Sequence, residues 1–294
     1  MSSVYERILI PTDGSGVAGS AAEAGINLAV RFDAELHIVY MVETERLAYL
    51  VDESRRELSR RGKEAVEEIE QRAEDAGVST ESRFLDEKRS VHRGILGYAD
   101  EQDTDLVVMG THGRTGVGRV VLGSVAEQTL RESEIPVMTL NERTVTDSDL
   151  ESILVPVDGS ESALTAVDHA LDLASATEGS VSFLNVVNHA TIAGLETSAG
   201  TVIDALEQAG ERIVETASDR AQKRGVQVED TSVQVGSPFR TILEYADRND
   251  IDSLVMGTHG RSGIDRLLLG SVTERVIRQI DVPVIAIKAP QPES

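Results

Sequence analysis

Gly110 to Val125 reads GTHGRTGVGRVVLGSV and Gly257 to Val272 reads GTHGRSGIDRLLLGSV, with 11 of 16 positions identical at an offset of 147. Upstream, ILIPTDGS (Ile8 to Ser15) recurs as ILVPVDGS (Ile153 to Ser160), six of eight identical at an offset of 145. Between them GILGYADEQDTDLVVMG matches TILEYADRNDIDSLVMG, again at 147. That period is far too long for a solenoid turn and the right size for a domain, so the 294 residues are two homologous copies. The expected domains are residues 1–143 and 150–290, with the polar stretch Asn141–Glu151 (NERTVTDSDLE) as linker.

Within each copy, short apolar runs bounded by Asp, Gly or Pro alternate with helical segments. The strands of the first copy are RILIPTD, ELHIVYMV, SRFLD, DLVVMG and IPVMTL; those of the second are SILVPVD, SVSFLNVV, TSVQV, DSLVMG and VPVIAI. Runs without polar alternation suit parallel strands covered on both faces. Gly77 and Gly225 are expected to stop the second helix of each copy, and Ser90 and Ser237-Pro238 to start the third. Strict strand–helix alternation predicts an α/β fold. Its form is two tandem doubly wound, Rossmann-like domains, each a five-stranded parallel sheet with helices on both faces.

The composition excludes several classes. There are no cysteines, so disulfides, thiolate metal sites and cysteine nucleophiles are ruled out. No apolar run approaches the length of a membrane span, and the start MSSVYERILIP lacks a signal peptide's basic head and apolar core, which predicts a cytoplasmic protein. Acids outnumber bases 51 to 28, a net charge of −23. The excess is even, −11 over residues 1–147 and −12 over 148–294. It is therefore a coat and not a tail, and it repels nucleic acid and anionic membranes. Only four of the bases are Lys, and an acidic, Lys-poor, Cys-free chain suits high salt, which screens self-repulsion.

In an open α/β sheet, ligands bind beyond the carboxyl ends of the strands near the point where strand order reverses. Two recurring segments fall at such ends. One leaves the first strand: Pro11, Thr12 and Asp13, matched by Pro156, Val157 and Asp158, each followed by Gly-Ser. The other leaves the fourth strand as G-x-x-G, nine residues, then G-S. Its entrance is Gly110-Thr111-His112-Gly113-Arg114 and Gly257-Thr258-His259-Gly260-Arg261; its exit is Gly123-Ser124-Val125 and Gly270-Ser271-Val272. The exit runs into a helix whose first N–H groups form a natural phosphate site. Arg114 and Arg119, with Arg261 and Arg266, place two cations in each loop of an otherwise acidic chain. The alternative is local structure alone: Ser124 to Glu127 and Ser271 to Glu274 both read as capping boxes.

This loop, with PTDGS or PVDGS at the first strand's exit, resembles the universal stress protein family over essentially the whole chain. The resemblance implies the ATP-binding branch, with ATP as ligand and Mg2+ as a candidate companion. It implies that Gly110, Gly113, Gly123, Ser124 and Val125 hold phosphates and ribose, as Gly257, Gly260, Gly270, Ser271 and Val272 do in the second copy. Asp13 and Asp158 line the adenine and ribose end, and Met41 and Val186 fall at the adenine-contacting position. The family also implies pairing of the two halves through their fifth strands as an internal pseudo-dimer, with a homodimer of whole chains as a further candidate. Asp265 stands where the first loop has Gly118, which predicts unequal sites.

Rival readings fare worse. Gly14, Gly16 and Gly19 form G-x-G-x-x-G after the first strand, but the second copy keeps only Gly159 of the three. No G-x-x-x-x-G-K-[ST] occurs, and of six histidines only His112 and His259 recur, without a recurring acid beside them. The expectation is a stress-response or signalling protein that binds ATP and is not an enzyme beyond slow incidental hydrolysis. The alternative is a nucleotide-free paired-domain scaffold. The acid coat predicts that the far-UV circular dichroism of helix rises across a KCl series; full folding in low salt would overturn that dependence.

Overall fold

The computed structural model describes residues 4–42, 52–86, 90–113, 122–146, 149–188, 199–260 and 268–289. The chain divides into two compact units, Met1–Asp147 and Ser148–Ser294. The first unit runs β1 (Arg7–Thr12), α1 (Gly16–Phe32), β2 (Glu35–Val42), α2 (Asp52–Asp75), β3 (Thr80–Asp86), α3 (Val91–Glu101), β4 (Leu106–Gly110), α4 (Ser124–Glu132) and β5 (Val137–Leu140). The second repeats the order as β6 (Ser152–Pro156), α5 (Glu161–Thr177), β7 (Ser180–Asn188), α6 (Ala199–Arg224), β8 (Gln227–Gly236), α7 (Pro238–Arg248), β9 (Ser253–Gly257), α8 (Ser271–Gln279) and β10 (Val284–Ile287).

Each unit holds five parallel strands in the order β3-β2-β1-β4-β5, or β8-β7-β6-β9-β10. The chain winds outward from β1 to β3, then returns to the other side of β1 with β4. The order therefore reverses between β1 and β4, and again between β6 and β9.

The central strands are apolar because both faces are covered: Ile8, Leu9, Ile10, Leu106, Val107 and Val108 have no exposed surface. With few aromatics available, packing is by aliphatic and small side chains. The buried face of α1 is largely alanine, and at Gly25 an added Cβ would lie 2.6 Å from Ile10 Cδ1, so the helix lies close on β1. The outer strands β3 and β8 depart from the two-faced expectation. β8 begins at Gln227, ahead of the run TSVQV, and is mostly exposed or half-exposed along its length. Phe84 on β3 and Val235 on β8 are 45% and 43% exposed. A strand whose faces reach solvent does not need continuous apolar sequence, which is why the polar start QVED gave no strand signal.

The helix stops are glycines at the expected places, Gly77 at φ +77° and Gly225 at φ +70°. Two further stops use non-glycine residues: Asp33 and Glu178 end α1 and α5 in the left-handed region, at φ 53° and 58°. Ser90 and Ser237 stand at the N-caps of α3 and α7, with Pro238 in the first turn. On α2, Arg60 pairs with Glu57 and Glu64, and Arg61 with Glu57 at 2.8 Å, the pattern of a solvated helix face. Among the described residues no helix is long and apolar enough to cross a membrane.

The start of β1 is tied to β4 by one side chain. Asp105 Oδ2 accepts the backbone N–H groups of Glu6 and Arg7, both at 2.8 Å. Asp252 Oδ2 does the same for Glu151 and Ser152 at 2.9 and 3.0 Å. Asp105→Ala strands two donors and is expected to cost about 1–3 kcal/mol in chemical unfolding, with Asp252→Ala costing the same in the second unit.

Candidate functional site

Pro11 and Pro156 open the crevice. The β1–β4 bridges are Ile8↔Leu106 and Leu9↔Val107, and Pro11 follows two residues past the last of them. Pro156 likewise lies two residues past Leu154, the last bridge to β9. Proline offers no N–H to the neighbouring strand, so the strands part at the reversal point.

A tight turn follows in both units. Asp13 Oδ1 accepts Ser15 N at 2.9 Å and Thr12 Oγ1 accepts Gly14 N at 3.2 Å. Asp158 Oδ1 accepts Ser160 N at 2.9 Å. Gly14 and Gly159 sit at φ +74° and +80°, a region open to glycine. Ser15 and Ser160 then cap α1 and α5, accepting Ala18 N at 3.3 Å and Ala163 N at 3.2 Å.

The exit of β4 comes down on this turn. A Cβ on Gly110 would lie 2.8 Å from Val17 Cγ1 and 3.3 Å from Ala18 N; one on Gly257 would lie 3.0 Å from Ala163 N. Thr111 and Thr258 are buried, donate N–H to Leu140 and Ile287 carbonyls at 2.8 Å, and place Oγ1 2.8 Å from Nδ1 of His112 and His259. A Cβ on Gly113 would lie 2.5 Å from Asp13 Oδ2, and one on Gly260 2.7 Å from Asp158 Oδ2. The two segments singled out in the sequence therefore meet, at glycines where an added Cβ would displace the aspartate carboxylate.

The loop closes at its base. Gly123 N donates to Thr111 O and Gly270 N to Thr258 O, both at 2.8 Å. Gly123 and Gly270 are the N-caps of α4 and α8, with no side-chain cap hydrogen bond. The capping-box reading is thereby corrected: Ser124 and Ser271 are the first helical residues, not the caps, and both are exposed. A side chain at the cap is excluded because its Cβ would lie 3.0 Å from Thr111 O, or 2.9 Å from Thr258 O. Glu274 instead pairs with Arg278 at 3.0 Å. Among the described residues no cap side chain takes the helix N-terminal donors, which is the electrostatic requirement of an anion site.

The ladder places the remaining positions. Thr12 pairs with Tyr40 and Pro156 with Leu184, so Met41 stands level with Asp13 and Val186 level with Asp158. Both side chains are half-buried, as are Val125 and Val272 in the first turns of α4 and α8. Arg114, Arg119, Arg261, Arg266 and the contrasting pair Gly118 and Asp265 lie outside the described residues.

One difference between the two sites had no recognised signal in the sequence. A Cβ on Gly62 of α2 would lie 2.6 Å from the Tyr40 ring, and one on Gly210 of α6 would lie 2.5 Å from Asn185 Oδ1. Asn185 Nδ2 in turn donates to Val157 O at 2.7 Å. An aromatic ring in one unit is thus replaced by a hydrogen-bonded amide in the other, beside the strand exit. The glycines recur at an offset of 148, which is the trace the pair leaves in the sequence.

A parallel α/β unit with a glycine loop at its reversal point, built twice, is the class this geometry defines. The model of the universal stress protein family matches residues 4–141 and 150–288, and the chain belongs to that family. A universal stress protein of Methanocaldococcus jannaschii is 36% identical over 143 residues, 47% of this chain and 83% of that one. One of Mycolicibacterium smegmatis is 25% identical over 300 residues, 98% of both chains, and so shares the tandem arrangement. The crystal structure of a universal stress protein from Archaeoglobus fulgidus covers 99% of this chain and 98% of its own, with 23% identity and a TM-score of 0.72, a likeness of fold.

The cap assignments separate Ser15, which caps its helix, from Ser124, which does not. Ser15→Ala is expected to cost about 1 kcal/mol of stability through the lost cap, whereas Ser124→Ala is expected to change it by less than about 0.5 kcal/mol. Equilibrium unfolding of the two variants checks this.

Proposed function

We propose that each unit binds one adenine nucleotide, ATP, and that the protein works in stress response or signalling through nucleotide-dependent conformation, not turnover. The observation that carries this is the helix N-terminus whose cap must be glycine, one loop away from a carboxylate at the reversal point. Phosphate would lie against the N–H groups of Gly113, Ser124 and Val125, and of Gly260, Ser271 and Val272, where the helix dipole favours negative charge, with Gly123 and Gly270 letting it approach the backbone closely. Arg114 and Arg261 would add cations from the loop. Asp13 and Asp158, each with one oxygen engaged by the turn and the other facing the glycine loop, are the acceptors for ribose hydroxyls. Met41 and Val186 would flank the base, beside Pro11-Thr12 and Pro156-Val157.

Among the described residues no group of three or more His, Asp or Glu side chains is placed to hold a metal. Mg2+ would therefore come with the nucleotide, held by its phosphates. The sites are expected to differ in affinity. Tyr40 and Met41 of the first unit correspond to Asn185 and Val186 of the second, and Asp265 adds a carboxylate to the second loop.

Equilibrium titration with ATP is expected to give two sites of unequal affinity per chain. Gly113→Leu should remove one, Gly260→Leu the other, and the double variant both, since each side chain would enter the space beside Asp13 or Asp158. Two equal, independent sites would contradict the asymmetry. No ATP binding by a folded native chain would overturn the nucleotide reading and favour a nucleotide-free scaffold.

A further inference from the structure

In the first unit α1 and α2 leave a cleft of about 360 Å³, lined by Glu23, Ile26, Asn27, Arg72, Asp75 and Ala76. The second unit shows what this groove holds when it is filled. The helix stops fix the correspondence: Asp33 matches Glu178, and Gly77 matches Gly225. Glu23 then corresponds to Asp168, Asn27 to Asp172, Arg72 to Arg220, Asp75 to Lys223 and Ala76 to Arg224.

In the second unit Arg220 Nη1 donates to Asp168 Oδ2 at 2.5 Å. Arg224 lies alongside it and is held three times. Its Nη1 donates to the Asp168 carbonyl at 2.7 Å and to Asp172 Oδ1 at 2.9 Å, and its Nη2 to Asp168 Oδ1 at 3.1 Å. The groove there sets two guanidinium groups against two carboxylates. In the first unit the Arg72–Glu23 pair persists, looser at 3.6 Å. The second guanidinium is gone, because Ala76 stands in its place, and Lys223 has become the carboxylate of Asp75. One cation now faces two carboxylates, and the space a side chain fills in one unit is an open cleft in the other.

We propose that this cleft binds a small alkylguanidinium cation, whose planar head takes the position that Arg224 occupies in the second unit. The acceptors would be the Glu23 carboxylate and the amide oxygen of Asn27, counterparts of Asp168 and Asp172, with Asn27 Nδ2 engaged by the Thr146 carbonyl at 3.3 Å; Asp75, whose Oδ1 takes Gln71 Nε2 at 3.0 Å, adds a second negative charge beside them. Ile26 and Ala76 supply the apolar wall for the alkyl chain. A guanidinium is favoured over an ammonium because its donor fork matches carboxylates in pairs, which is the arrangement Arg224 displays. The site is separate from the nucleotide crevice and does not depend on it. It is shallow and solvated, so affinity in the millimolar range is expected.

Agmatine is the probe, titrated into the full chain by calorimetry and by amide chemical shifts. The expected result is saturable binding at one site per chain, with shifts centred on Asn27 and Ala76. Ala76→Arg should supply the missing guanidinium from within, weaken agmatine by about tenfold or more, and raise the thermal midpoint. If that variant does not fold, Glu23→Gln carries the test and should weaken agmatine in the same direction. Butane-1,4-diamine, with the same chain and an ammonium head, should bind several-fold more weakly. Equal binding of the two compounds, unchanged affinity in the folded variants, or no saturation would overturn the proposal and leave only general attraction to the acid coat.

Discussion

The close approach of α1 to the end of β4 is the constraint from which each site follows. Gly110 and Gly257 admit the first turn of the helix at backbone distance, and a Cβ there would press on main chain that cannot rotate away. With α1 held in place, the serine caps and the Asp-Gly turn are pinned at the reversal point. Asp13 and Asp158 are then fixed against Gly113 and Gly260. On the opposite flank the prolines let β1 and β4 part. One device closes the helix onto the sheet and the other opens the sheet under the loop, and the crevice is the space between them.

Much of this was legible because the chain carries its own alignment. The recurring Asp-Gly-Ser and G-x-x-G segments mark the strand exits, and the positive-φ glycines Gly77 and Gly225 mark helix stops through a well-understood steric preference. What escaped the sequence did so for identifiable reasons. Ser124 with Glu127 has the pattern of a capping box, yet the cap falls one residue earlier, because contact with the Thr111 carbonyl, a tertiary fact, reserves it for glycine. The start of β8 is polar because its side chains reach solvent on both faces. Asp105 and Asp252 stand in the sequence only as the first residues of DLVVMG and DSLVMG, and their hold on β1 and β6 joins residues 98 and 100 positions apart. Met41 and Val186 were matched by pattern alone; the ladder sets each one step beyond a bridged pair, level with its aspartate.

The two units share one frame and diverge in how polar groups inside it are satisfied. Tyr98 lies 2.9 Å from His37 Nδ1, on β2. Its counterpart Tyr245 donates instead to Asp230 on β8 at 2.6 Å. The register slip between Val181 and Ser182 brings Asp230 opposite Ser182, so an inserted residue has re-aimed a carboxylate at the phenol. Burial and that hydrogen bond push the Tyr245 hydroxyl up to about 12. The same logic governs the α1–α2 groove, where an arginine in one copy became an alanine in the other. Duplication supplied two copies of each solution, and each copy kept its backbone while exchanging partners.

The parallel pairing of β1 with β4 has a consequence for how the chain comes into being. Ile8 reaches its partner Leu106, and Ile153 its partner Ser253, only after most of a unit has been synthesised. ILIPTDGS and ILVPVDGS are similar enough that either could dock beside β4 or β9 in a chain released all at once. On the ribosome that choice does not arise, because the first unit can complete its sheet before the second copy of the strand has emerged. Order of emergence thus supplies a discrimination that two nearly identical strands do not. Refolding from denaturant, which presents both copies together, removes it.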